Sequence, residues 1–160
     1  HRVDYDFTVA IVIGRRCRNL GPDDDVRPYI RGYVIVNDVT ARDIQKSDGQ
    51  WTRGKGFDTF CPVGPIVSSE IDPCGFDEMS SAPVTVTTRL NGVVKQQGST
   101  ADFIFPIAHL LRYITAAITL EPGDLIPTGT PAGVGSVQPG DRIQIEVDGL
   151  GILENVFAAE

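Results

Sequence analysis

Val84-Thr85-Val86-Thr87-Thr88-Arg89-Leu90, Asn91-Gly92 and Val93-Val94-Lys95-Gln96 read as a strand, a two-residue turn and a returning strand. Side chains alternate between the faces of a strand, so the Val-Thr-Val-Thr run buries one row and wets the other. Asn-Gly supplies the positive φ angles that a primed hairpin turn requires. Working outward, Phe7 to Ile13 is a β-branched run closed by Gly14 and the basic residues Arg15, Arg16 and Arg18, which predicts a buried strand and a solvated turn. Further strands are expected over Arg31 to Val36 and at Pro65-Ile66-Val67, with a short helix near Asp25 to Tyr29 and a turn over Pro73 to Met79. Glu121-Pro122-Gly123-Asp124 and Gln138-Pro139-Gly140-Asp141 each launch a strand from a Pro-Gly turn. The glycines and prolines between Trp51 and Pro65 predict an ordered loop without an element of its own.

One helix is clear, from about Pro106 to Ile118, with Ile107, Leu110, Leu111, Ile114 and Ile118 on one face and His109 opposite them. His109 therefore reads as surface, and a Ser-His-Asp arrangement has no support. Short strands outnumber helices heavily, so the fold class is mainly β with one clear helix, a roll or sandwich.

The 160 residues are 41% hydrophobic and 22% charged, enough apolar chain for a single domain that folds without staples. A net charge of -7 disfavours nucleic acid and anionic membrane surfaces as partners, although local cations still bind small anions. Cys17, Cys61 and Cys74 share no close spacing, so neither a disulfide framework nor a zinc site is signalled, and a reduced cytoplasmic setting is expected. No apolar run reaches the roughly 20 residues of a membrane-spanning helix. His1 is not a natural start, and an N-terminal segment is expected to be absent. Asp23-Asp24-Asp25 lacks the alternating ligands of a calcium loop and reads as a solvated acidic turn.

Chemistry concentrates where the strand Val34-Ile35-Val36 ends in Asn37-Asp38-Val39-Thr40-Ala41-Arg42-Asp43-Ile44-Gln45. Polar groups converging at a strand end are positioned by ordered backbone. Lys55 lies between Gly54 and Gly56, which let a cation pass close to a ligand, and Trp51 reads either as the cover of a pocket or as a single exposed or core aromatic. Arg42 with Asp43 reads either as a substrate contact or as an ion pair that fixes the loop. Asp102, after Ser99-Thr100, is expected to organise a turn ahead of the helix. Thr128-Gly129-Thr130-Pro131-Ala132-Gly133-Val134-Gly135 superficially suggests a dinucleotide loop, but a Pro-Gly turn and a strand follow it where a helix is required. Its amides are instead expected to form a nest for a carboxylate.

The ordered set Asn37-Asp38-Val39-Thr40-Ala41-Arg42-Asp43-Ile44-Gln45, Gly54-Lys55-Gly56-Phe57-Asp58, Gly98-Ser99-Thr100-Ala101-Asp102-Phe103-Ile104-Phe105, Leu120-Glu121-Pro122-Gly123-Asp124 and Thr128 to Gly135 resembles the fumarylacetoacetate hydrolase family, over nearly the whole chain. The resemblance implies a mixed β-roll, usually a homodimer, that acts on 2-oxo or β-diketo acids of aromatic-compound catabolism. The reactions are C-C hydrolysis, decarboxylation or keto-enol isomerisation through a metal-stabilised enolate. It implies Mg²⁺ or Mn²⁺ held by three carboxylates, two from an E-x-E pair on the early strand and the third at Asp38. Lys55 would stabilise the enolate, Arg42 and Gln45 would orient substrate, and Thr130 would bind its distal carboxylate.

Residues i and i+2 of a strand face the same side, so an E-x-E pair can close on one ion. In this chain Asp6 and Thr8 stand at those two positions. The carboxylate count falls from three to two, which predicts a weaker site for a hard dication. The acid and histidine that activate water in hydrolase members lie on a lid upstream of this strand, in the segment expected to be absent. The alternative expectation is therefore a catalytically weakened member that binds a small dicarboxylate or serves as one half of a larger assembly.

Overall fold

The computed structural model describes residues 2–73 and 83–159. The turn expected over Pro73 to Met79 falls almost wholly outside the described residues, as does Cys74. Three antiparallel sheets carry the fold. The first has the order β5 (Val63–Ser68), β3 (Ile30–Asn37), β2 (Phe7–Ile13), β8 (Leu125–Pro127). The second runs β11 (Gly151–Val156), β10 (Arg142–Val147), β6 (Thr85–Leu90), β7 (Val93–Ser99). The third is small, with β1 (Val3–Tyr5) between β4 (Thr40–Ala41) and β9 (Gly135–Ser136).

All seven residues of β2 are buried, which is why it reads as a continuous apolar run rather than an alternation. Phe7, Val9, Ile11 and Ile13 enter the main core with Tyr33 and Ile35 of β3, Val86 of β6 and Ile143 and Ile145 of β10. Ala10 and Val12 of β2 join Val34 and Val36 of β3 in a second, smaller cluster. The expected hairpin is β6–β7, with Asn91 and Gly92 at φ 51° and 80°. Both Pro-Gly turns are present, and in each the aspartate carboxylate accepts from the backbone three residues earlier: Glu121 N to Asp124 at 2.8 Å, Gln138 N to Asp141 at 2.7 Å. Asp102 organises the turn before the main helix as expected, closing a reciprocal cap with Ser99.

The helices differ from expectation. The clear helix, α3 (Ile107–Thr115), stops before Ile118, which is exposed rather than part of the apolar face. Two shorter helices were not expected: α1 (Arg42–Asp48), and α2 (Trp51–Lys55), which opens the stretch from Trp51 to Pro65 that was expected to be loop. Gly54 allows them to touch: a Cβ there would meet the Cβ of Gln45 at 3.0 Å. The helix expected near residue 27 is a single 3-10 turn, Arg27–Tyr29. No helix among the described residues is long and apolar enough to cross a membrane.

Candidate active site

β2 and β3 pair so that Phe7 faces Asn37, which brings the start of one strand against the end of the other. The Asp38 amide donates to the Asp6 carbonyl at 2.6 Å, and the Asp6 amide donates to Asn37 Oδ1 at 3.1 Å. Two carboxylates are thus fixed side by side by backbone. α1 and α2 then turn the chain back, so that Lys55, at the last position of α2, pairs with Asp38 Oδ2. Its ammonium also lies 5.7 Å from the centre of the Trp51 ring. Asp6, Thr8, Asp38, Trp51, Lys55, Pro127, Gly129 and Thr130 line one cleft of about 260 Å³.

Burial raises the Asp6 carboxyl above the ordinary carboxylate range; a Thr130 hydrogen bond opposes this, Asp38 reinforces it, and Lys55 and Arg42 oppose it. Asp6 Oδ1 is buried without a hydrogen-bond partner among the described residues. An orphaned carboxylate oxygen beside a second carboxylate is a suitable place for a hard cation. The threonine does not fit that role. Thr8 Oγ1 accepts from the amides of Thr128 and Gly129, each at 3.1 Å, and donates to the Val9 carbonyl at 3.0 Å. A hydroxyl has one proton and two lone pairs, so all of its capacity is committed. The carboxylates of the cleft that could hold a divalent cation are therefore Asp6 and Asp38, and Mg²⁺ is commonly bound through one or two carboxylates with water completing its shell. No group of three or more His, Cys, Asp or Glu side chains suited to a metal occurs among the described residues.

The same bonds alter the expected carboxylate nest, because two of its amides are already spent on Thr8. Thr130 remains at the mouth. Its Oγ1 accepts from Gln96 Nε2 at 2.9 Å, and Gln96, 1% exposed on β7, also donates to the Pro131 carbonyl at 3.1 Å. Gly133 makes room for this side chain, since a Cβ there would stand 2.3 Å from the Lys95 carbonyl and 2.8 Å from Gln96 Cγ. Arg42 and Gln45, expected to orient substrate, do not line the cleft. Arg42 donates to Asp4 Oδ2 at 2.9 Å and to Gln45 Oε1 at 2.8 Å, behind the site. His109 lies outside the cleft, stacked on Phe105 at 5.0 Å between ring centres. Asp4 and Gln96 were the residues that sequence reasoning missed. Asp4 carried a signal, since Asp4, Asp6 and Thr8 alternate at period two.

The family model for the C-terminal part of fumarylacetoacetate hydrolase matches residues 1–158. The chain belongs to the fumarylacetoacetate hydrolase family. A protein of Methanocaldococcus jannaschii is 47% identical over 99% of this chain and 63% of its own length. The oxaloacetate tautomerase YisK of Bacillus subtilis is 39% identical over 96% of this chain and 52% of its own. The crystal structure of 5-carboxymethyl-2-hydroxymuconate delta-isomerase from Mycobacterium smegmatis superposes with a TM-score of 0.90 at 42% identity, covering 99% of this chain and 60% of that one. The chain thus spans between half and two thirds of the length of these three family members. The expected fold class is the one observed, and the family contains isomerases, tautomerases and hydrolases.

Proposed function

We propose that this chain carries the active site of an enzyme that interconverts keto and enol forms of a small 2-oxo or β-diketo acid through an enolate. The observation that carries the reading is the convergence of Asp6, Asp38, Lys55 and Thr130 on one cleft, pairing oxygen ligands with a cation. A divalent cation such as Mg²⁺ or Mn²⁺, held by Asp6 and Asp38, would supply Lewis acidity toward the 2-oxo and carboxylate oxygens. Lys55 presents its ammonium where enolate charge develops, and preorganised charge of this kind is a large contributor to rate. The Thr130 hydroxyl, set by Gln96 and bonded to Asp6, would turn its one proton to the distal carboxylate of the substrate once a cation takes over Asp6. Arg42 acts from behind: its charge reaches Asp6, and its bonds to Asp4 and Gln45 hold α1 in place.

C-C hydrolysis needs a further base to activate water, and among the described residues the carboxylates lining the cleft are the two assigned to the cation. Keto-enol conversion activates no water as a nucleophile: the enol gives up its O-H proton and takes one at carbon, both exchanged with solvent water in the open cleft, which favours it over hydrolysis for these residues. Oxaloacetate, the substrate named for the B. subtilis relative, is the first acid to try. The test follows oxaloacetate ketonisation optically with the full chain and Mn²⁺, with oxalate as an enolate mimic. We expect metal-dependent acceleration, inhibited by oxalate, lost in Asp38→Asn and reduced about 100-fold in Lys55→Ala. Acceleration that persists in Asp38→Asn overturns the reading. The commitment of Thr8 to backbone amides favours a second one, a binding member weakened in catalysis, for which oxalate binds but no acid is turned over.

A further inference from the structure

Lys55 is the cleft's own positive charge. Among the ionisable side chains that line the cleft it faces two carboxylates, and one of these, Asp38, is its ion-pair partner. The oxygens available to a divalent cation are therefore in unequal states. Asp6 Oδ1 is buried and unpartnered, the Thr8 hydroxyl is saturated by backbone, and Asp38 Oδ2 belongs to the lysine. An incoming dication finds Asp6 ready but meets an ammonium already seated on Asp38. Lys55 and Asp38 are each about one quarter exposed, so solvent screens their charges only in part.

We propose that Lys55 is a displaceable internal counter-cation that competes with the divalent ion for Asp38, so that its ammonium is released toward substrate only when the ion is bound. This rests on the reading of the cleft as a cation-dependent oxo-acid site. With a glutamate in place of Thr8, a third carboxylate would leave room for both positive charges. With Asp6 and Asp38 alone, ammonium and ion share one negative partner, and their mutual repulsion enters the binding constant directly. The lysine also keeps the carboxylate pair from repelling itself while no ion is bound.

The experiment measures Mn²⁺ uptake by the metal-free full chain from the loss of the free-ion EPR signal, without reference to turnover. Lys55→Met and Lys55→Gln are expected to bind Mn²⁺ about tenfold more tightly than the wild type, or better still, while Lys55→Arg stays within about threefold. Circular dichroism confirms that each variant is folded. If the wild type binds and the two neutral variants bind equally or less tightly, Lys55 holds Asp38 in place for the ion and the counter-cation role falls alone. If neither the wild type nor any variant binds at millimolar Mn²⁺, the cation-dependent reading fails and takes this inference with it.

Discussion

The hydroxyl of Thr8 shows how a single position divides between folding and chemistry. It satisfies the amides of Thr128 and Gly129, and those bonds bring the segment that carries Thr130 against β2. A carboxylate at this position would reach into the cleft instead, at the expense of that anchor. Thr8→Val keeps the shape and removes the acceptor. Thr128 N retains a longer bond to the Val9 carbonyl at 3.2 Å, so the loss falls mainly on Gly129. We expect Thr8→Val to destabilise the fold by about 1–2 kcal/mol in urea unfolding, with Mn²⁺ affinity of the folded protein unchanged. Thr8→Ser should match the wild type in both. A valine variant of full stability that no longer binds Mn²⁺ would make Thr8 a ligand and refute this assignment.

At the scale of elements, the site depends on two short helices packed closely together. Gly54 stands in α2 where a Cβ would lie 3.0 Å from Gln45 Cβ and 3.2 Å from its backbone. Gly54→Ala pushes α2 from α1 and carries Lys55, the next residue, away from Asp38. The expected cost is about 1–3 kcal/mol in stability, with a fall in turnover of about 100-fold for a displacement near 1 Å. Gly49 ends α1 at φ 66° with open space around it, a conformation asparagine tolerates, so Gly49→Asn should leave turnover unaltered. Equal effects of the two substitutions would show that the helix pair responds to any disturbance rather than to the close approach.

These helices were not legible in the sequence. They have seven and five residues, neither has a side chain hydrogen-bonded as its N-cap, and a glycine sits inside the second. Tertiary packing makes them, and local pattern cannot report it. The β6–β7 hairpin and the two Pro-Gly turns were legible because their signals are local: alternation, Asn-Gly and a capping aspartate. The site divides in the same way. Asp6 followed from the resemblance, which sets it at the first position of the family's E-x-E pair, and Asp38 and Lys55 from ordered motifs, whereas Arg42 finds Asp4 across 38 residues and Gln96 finds Thr130 across 34.

For the molecule as a whole, Asp4 joins the N-terminal strand to the helices that carry the lysine. β1 is paired on both sides, with Asp4 opposite Thr40 of β4 and Ser136 of β9, so this carboxylate lies at the centre of the small sheet. It is 1% exposed and accepts from Arg2 at 2.9 Å as well as from Arg42. Burial pushes its carboxyl up, but the hydrogen bonds and charges of the two arginines outweigh burial and hold it below the usual range. A carboxyl depressed by folding contributes stability that is complete above its unfolded value, about 3.9, and is lost as pH falls through the folded value. Asp4→Asn should therefore cost about 1–3 kcal/mol at neutral pH, a range set by arginines that keep part of their contact with water. Because the variant has no carboxyl to protonate, the gap should narrow steadily once pH drops below about 4. Thermal unfolding of both proteins from pH 7 to pH 2.5 measures this, and a gap that stays constant across that range would mean that Asp4 acts through packing alone.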